Sequence, residues 1–207
     1  MLIQFEDQVK RYAVNFYDGF ASKLLSDYTQ GNRRTEAAIK HALGWIPPDA
    51  KRVLDIGCGI GWSTWEIGKR CSRAEIVGVD LSPKLSEIAI RLHRRERTRF
   101  MVQDVCHELP PDMGRFDAVV LLDVYEHIPT FRRAGFHNVL DRLLDESGIV
   151  IFTCPTPKHQ AYLRDHKPDG LQPVDEDVTR NDIALIAEAI CGRTVCYKDV
   201  SIWSEND

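Results

Sequence analysis

Val53-Leu-Asp-Ile-Gly-Cys-Gly-Ile-Gly-Trp-Ser-Thr64 is the stretch that decides the fold. A short apolar strand, Val53 to Ile56, runs into glycines at alternate positions, Gly57, Gly59 and Gly61, and a helical segment from Trp62 to Arg70 follows. Glycine turns sharply and has no Cβ, so a strand ending this way brings the main chain close to a ligand. The helix behind it presents unpaired N–H groups to an anionic part of that ligand. Two phosphate-binding readings fail on spacing. The dinucleotide fingerprint G-x-G-x-x-G, counted from Gly57, needs glycine where this chain has Trp62, too bulky to pack helix on strand. A P-loop needs a following Gly-Lys-Ser/Thr, which this loop does not have.

Outward from the loop, short apolar runs alternate with helical ones. Glu75 to Val79, Arg99 to Val102, Phe116 to Leu122 and Gly148 to Thr153 read as strands, and Pro83 to His93 and Phe131 to Asp145 as helices. Ser82 is placed to cap the first of these helices, with Pro83 in its first turn. Phe116-Asp-Ala-Val-Val-Leu-Leu122 is nearly continuous in apolar residues, the pattern of a strand buried on both faces. The alternation predicts an α/β fold: a doubly wound, mostly parallel sheet with right-handed crossovers. Before it, Phe16, Phe20, Leu24 and Tyr28 share one helical face, Gly31-Asn32 breaks the run, and a second helix ends at Gly44-Trp-Ile-Pro-Pro48. The expected organisation is one domain over 1–207, with a helical cap over 1–48 and the α/β core over 49–207.

Composition excludes several classes. The chain has 207 residues, 43% of them hydrophobic and 28% charged, with a formal net charge of −4. A negative chain is poorly suited to binding a phosphate backbone. The basic run Arg91 to Arg99 reads as a solvated helix end, without interleaved aromatics for base stacking. No apolar run has the roughly 20 residues of a membrane helix, and Met1 to Lys10 is polar rather than a secretory signal. The six cysteines, Cys58, Cys71, Cys106, Cys154, Cys191 and Cys196, form no C-x-x-C pair, so a reduced, metal-free set in the cytoplasm is expected.

The spacing D-x-G-x-G-x-G at Asp55 to Gly61 resembles motif I of the class I S-adenosylmethionine-dependent methyltransferases, and the likeness runs from about Arg52 to Pro155. The resemblance implies that Asp55, Gly57, Cys58, Gly59 and Gly61 hold the methionine part of S-adenosylmethionine, the product being S-adenosylhomocysteine. Ile76-Val-Gly-Val-Asp80 is similar to the second-strand motif, which implies that Asp80 binds both ribose hydroxyls, with Leu81 beside it. A carboxylate is acceptor-only and suits two O–H donors. Phe100-Met-Val-Gln-Asp-Val105 is similar to the next motif, which gives the adenine amino group to Asp104 and the ring faces to Val105 and Cys106. Leu122 ends the fourth strand in the same pocket. Relatives place an arginine against the methionine carboxylate, which points to Arg33 or Arg34.

Asp123-Val-Tyr-Glu-His-Ile-Pro129 looks like the fourth-strand motif of quinone-biosynthetic and related small-molecule methyltransferases. In-line methyl transfer asks the protein mainly for alignment and for loss of the acceptor's proton. His127 is the first candidate base and Glu126 the second, although His127 has a bland reading as a loop-fixing hydrogen bond and Glu126 as a helix-start carboxylate. Asp123, Glu126 and His127 also resemble an E-x-x-E-H cation site, with the first acid one methylene short, and no metal is assigned. Cys154 to Asp177 is expected to be a long structureless loop. Its His159, Tyr162, Arg164, His166 and Lys167 either recognise an anionic or sugar-bearing acceptor or are simply solvated.

The family fold ends in two antiparallel strands, in the order 3-2-1-4-5-7-6. Thr194 to Trp203 alternates enough to be the sixth, and Ser204 to Asp207 looks like a turn, which leaves no residues for a seventh. The expectation is therefore a domain lacking its last strand, with an exposed sheet edge, in a dimer or a longer polypeptide. The function expected is methyl transfer to an O, N or carboxyl group of a small molecule. The rivals are a non-catalytic cofactor-binding module and an RNA methyltransferase.

Overall fold

The computed structural model describes residues 2–106 and 110–202, without the side chains of 2–5 and 111. Two helices come first, α1 (Leu2–Gln30) and α2 (Arg33–Trp45). Gly31 separates them at φ 85°, and Asn32 caps α2 by accepting from the N–H groups of Arg34 and Thr35. The alternating part follows: β1 (Arg52–Ile56), α3 (Trp62–Arg70), β2 (Glu75–Asp80), α4 (Pro83–Leu92), β3 (Thr98–Val102), β4 (Phe116–Leu122), α5 (Thr130–Leu143) and β5 (Leu144–Thr153). Two further helices, α6 (Pro157–His166) and α7 (Arg180–Ala189), complete the described elements, with 3-10 turns at Pro111–Met113, Tyr125–His127 and Pro168–Gly170.

All five strands are parallel and ordered β3-β2-β1-β4-β5. The order reverses between β1 and β4, and open α/β sheets bind ligands at such a reversal, outside the carboxyl ends of the strands. In β4, Ala118, Val119, Val120 and Leu121 are all buried. Val119 and Leu121 pack with Phe136 and Leu140 of α5, while Ala118 and Val120 pack with Ile67 of α3 and Ala42 of α2, so helices cover both faces. The cap expected at Ser82 forms, accepting from Leu85 N–H, and Thr179 opens α7 in a capping box shared with Asp182.

Two expectations fail. Thr194 to Trp203 is not a sixth strand: residues 194–202 carry no ladder, and Val195 stands 67% exposed. Alternation alone does not make a strand without a paired neighbour. Trp203 and the turn expected at Ser204 to Asp207 lie outside the described residues. The free side of β5 instead borders a cavity of about 1180 Å³, with residues 191–200 and Ile202 among its walls. Cys154 to Asp177 is likewise not structureless. Thr156 accepts from His159 N–H, Pro157 occupies the first turn, and α6 runs to His166.

Candidate active site

The glycine turn forms as its sequence requires. Gly57, Gly59 and Gly61 all have positive φ, at 67°, 53° and 85°. A Cβ on Gly57 would lie 2.4 Å from Val124 Cγ2, so this glycine lets the loops after β1 and β4 touch. Asp55 is 1% exposed and accepts at 2.6 Å from both Ser63 and Thr64 hydroxyls, which ties the strand end to the start of α3. Burial pushes its carboxyl up to about 6 against the pull of those two hydroxyls. Cys58 is buried beneath the turn, and burial raises its thiol well above the ordinary range.

Asp80 joins this turn to the next strand. Its Oδ2 accepts from Gly59 N–H and its Oδ1 from Ser82 N–H, both at 2.8 Å. Each oxygen keeps a lone pair for one further donor, the arrangement that a pair of ribose hydroxyls needs. Leu81 is half-buried after it. Over the turn lies α1, with Leu24 3.5 Å from the Cβ that Gly59 lacks and Asp18 in a short hydrogen bond with the Ser82 hydroxyl. Asp104 is differently engaged. It pairs with Arg132 at 3.0 Å and Lys10 at 3.5 Å and accepts from Cys106 N–H, so an adenine amino group would have to share it with these cations. Val105 and Cys106 are half-buried beside it, as is Leu122 at the end of β4.

The two arginines part company. Arg33 is exposed, whereas Arg34 forms a two-pronged pair with Asp123, Nε to Oδ2 and Nη2 to Oδ1, both 2.7 Å. Asp123 sits at φ 55°, a left-handed conformation that aspartate tolerates better than most residues, and also accepts from Thr153 at 3.1 Å. Asp123 is therefore held by Arg34 rather than gathered with Glu126 and His127, and among the described residues no three His, Cys, Asp or Glu side chains could hold a metal ion.

Glu126 and His127 lie in the 3-10 turn after β4. His127 Nδ1 is 2.7 Å from Val174 O; a carbonyl only accepts, so Nδ1 carries the proton and the neutral ring has its lone pair on Nε2. Burial lowers the His127 pKa, opposed by that hydrogen bond and by Asp175. Nε2 faces Glu126 Oε1 at 3.8 Å, too long for a hydrogen bond. Glu126 is fully buried, and neither of its oxygens has a hydrogen-bond partner. Burial, helped by Asp123, raises its pKa well above the carboxylate range.

Sequence reasoning missed two neighbours, Asp175 and Gln160. Beside them Tyr17 of α1 packs against the cluster of Ala21, Ile60 and Leu85 and has its ring 6.4 Å from His127. Burial and the charges of Asp80, Glu126 and Asp175 raise its pKa. Asp175 lies 3.4 Å from His127 Nδ1 and accepts from Gln160 Nε2 at 3.0 Å and Gln172 N–H at 2.9 Å. Gln160 is 1% exposed, buried by α6. The clue to Asp175 and Gln160 was the helical spacing in Pro157 to His166, hidden by flanking prolines. Of the residues singled out there, Arg164 pairs with Asp177 at the surface, His166 and Lys167 lie against the Tyr162 ring, and His159 stacks on that ring and lines the cavity beside β5. Three arginines of the basic run have local partners, Arg91 in Glu87, Arg95 in the Trp65 ring and Arg99 in Glu75.

Residues 53–148 match a family described as a methyltransferase domain. The chain is 34% identical over 128 residues to a ubiquinone biosynthesis O-methyltransferase of Alkalilimnicola ehrlichii, covering 60% of this chain and 49% of that one. It is 32% identical over 210 aligned positions to a probable tocopherol O-methyltransferase of Oryza sativa subsp. japonica, covering 92% and 56%. The chain thus spans about half the length of these curated relatives. Among solved structures, the magnesium protoporphyrin IX methyltransferase of Synechocystis PCC 6803 with bound S-adenosylhomocysteine shares the fold, with TM-score 0.63 at 22% identity, covering 83% of this chain and 85% of that one. No helix among the described residues is long and apolar enough to cross a membrane.

Proposed function

We propose that the chain carries a class I S-adenosylmethionine-dependent methyltransferase domain and that it methylates a hydroxyl or amino group of a small molecule, with His127 as the base. The observation that carries this reading is the nearness of two chemistries at one sheet edge. Tyr17 has its ring 6.4 Å from His127, and its neighbour Asp18 is hydrogen-bonded to the Ser82 hydroxyl, whose residue donates its N–H to Asp80, the candidate ribose acid. Two adjacent residues of α1 thus reach the candidate nucleoside grip and the candidate base.

When bound, S-adenosylmethionine supplies an electrophilic methyl group, whose bond to sulfur breaks with the electron pair staying on the sulfur. The chain does the rest. The glycine turn would hold the methionine part and Asp80 the ribose. His127 Nε2 takes the proton of the acceptor's X–H as the lone pair of X turns to the methyl carbon, so the proton ends on imidazole and the methyl on X. The Val174 carbonyl holds the ring in the tautomer this needs. Tyr17 and α1 keep water from the reacting atoms. The cavity beside β5, which reaches Asp123, Thr153 and Cys154, offers room for the body of the acceptor. The same reading makes 1–48 a cap over a 49–207 core, and S-adenosylhomocysteine the released product.

Titration calorimetry with S-adenosylhomocysteine, followed by transfer of a labelled methyl group to a metabolite panel, tests the proposal. Binding with transfer that His127→Gln abolishes is expected. Absence of nucleoside binding by folded protein would reject it, and binding without any transfer would favour the non-catalytic module.

A further inference from the structure

His127 is tied down on three sides, always to Arg133 or to the segment from Val174 to Glu176. Before it, the Glu126 carbonyl accepts from Glu176 N–H at 3.0 Å. After it, the Ile128 carbonyl accepts from Arg133 Nε at 3.1 Å. The ring itself donates from Nδ1 to the Val174 carbonyl. Arg133 and Glu176 also face each other, Nη2 to Oε2 at 3.5 Å, an ion pair in which Nη2 makes no hydrogen bond. The Arg133 guanidinium lies 4.5 Å over the ring of Tyr125, the first residue of the His127 turn, and its Nη1 pairs with Asp182 at 3.1 Å. Asp175, inside the segment, is anchored separately through Gln160 and Gln172.

Stability alone would not choose these two residues. Arg133 is the fourth residue of α5, in the first turn, where the helix dipole disfavours a cation, and it is 5% exposed. Apolar side chains of similar volume often replace a buried ion pair at no loss of stability. What they lack is direction, which the rigid fork of guanidinium donors supplies. Glu176 fills a second gap. The first turn of α5 has no acidic residue, and Pro129 before it provides no side-chain cap. Glu176 supplies both from 46 residues away, accepting from Thr130 N–H at 3.1 Å and from the Thr130 hydroxyl. That bond fastens the carrier of the Val174 carbonyl to the helix that carries Arg133.

We propose that Arg133 and Glu176 are positioning residues for His127: they fix the main chain on both sides of it and the carbonyl that orients its ring, and so aim Nε2 at the acceptor's proton. This deepens the methyl-transfer reading, in which His127 is the base, and rests on it. The two residues act through the turn and not on the reacting atoms. Their loss leaves the imidazole present but badly aimed, and a base misplaced by about 1 Å costs up to about 10²-fold in rate.

The test compares the full chain with Arg133→Met, Glu176→Ala and, as a control from the core on the opposite face of the sheet, Ile67→Ala. With S-adenosylhomocysteine bound, proton NMR of the unaltered chain is expected to show the His127 Nδ1–H as a downfield resonance in slow exchange. In Arg133→Met and Glu176→Ala it should move and exchange with water about tenfold faster, the factor that one lost hydrogen bond supplies. Their single-turnover rates of methyl transfer should fall about tenfold or more, while acceptor and nucleoside affinities change less than about twofold. Ile67→Ala should unfold at a lower temperature yet keep the resonance and the rate. The Glu176 side chain is 35% exposed, so Glu176→Ala decides alone if Arg133→Met does not fold. An unchanged resonance or an unchanged rate in either folded variant, or equal changes in Ile67→Ala, overturns the inference. Absence of nucleoside uptake or of any transfer by the unaltered chain overturns the methyl-transfer reading instead, and the resonance, read without an acceptor, keeps the two failures separable.

Discussion

The His127 ring carries one proton, and the Val174 carbonyl decides where it sits. Because burial holds its pKa below the usual imidazole value, the base form is present at neutral pH. Activity should therefore rise along an acid limb with a midpoint below about 6.5 and be level from there to neutrality. Replacing it, His127→Gln, should lower kcat by about 10²- to 10⁴-fold with nucleoside affinity intact, as single-turnover rates would record. Asp55 gives a stability counterpart. Its carboxyl is raised to about 6 from the 3.8 of an unperturbed aspartate, so the folded chain binds this proton more tightly than the unfolded one. Its contribution is complete below about pH 4 and is lost as pH rises through about 6, a change on the order of 3 kcal/mol. Asp55→Asn lacks that loss, so the stability difference between the two proteins should grow between these pH values in denaturant titrations. Asp55 and Asp80 were legible from their places at strand ends. Asp175 and Gln160 were not, because a polar residue between prolines looks solvated until a helix is seen to bury it.

Among elements, the strands were the most legible, since a run such as Phe116 to Leu122 has little choice but burial on two faces. The bounds moved where a helix passes directly into a strand, as α5 does into β5 at Leu144. The strand expected over Thr194 to Trp203 shows the limit of periodicity: an alternating segment needs an edge to pair with, and sequence does not say whether the edge is reached. The glycine turn makes the sharpest prediction at this scale. Gly57→Ala combines a φ of 67° with a Cβ driven into Val124, a contact between two loops rather than with a flexible tip. It should destabilise the chain by about 1–3 kcal/mol in thermal or denaturant unfolding. The Arg34–Asp123 pair fastens α2 to the loop after β4 with both side chains about a quarter exposed. A double-mutant cycle with alanines should return a coupling of about 1 kcal/mol, near the upper end for exposed pairs because both prongs are made.

For the whole molecule, the fold class was legible because every crossover from strand through helix to strand leaves its period in the sequence. A helical cap over 1–48 was expected too, but not the contacts that α1 makes, since an amphipathic helix does not announce which residues it will meet. Its 29 residues rest on the glycine turn through Leu24, on Ser82 through Asp18, and on the His127 turn through Tyr17. A nucleoside seated below would be roofed by this helix on every cycle. Weakening the roof by Asp18→Ala removes one hydrogen bond, and S-adenosylhomocysteine should then depart about two- to tenfold faster in stopped-flow displacement. It follows that the exhausted nucleoside, and not the methylation event, would set the pace of steady-state turnover. Acceptors of quite different reactivity would then be processed at nearly the same maximal rate, telling the enzyme apart from one whose doorway stands open.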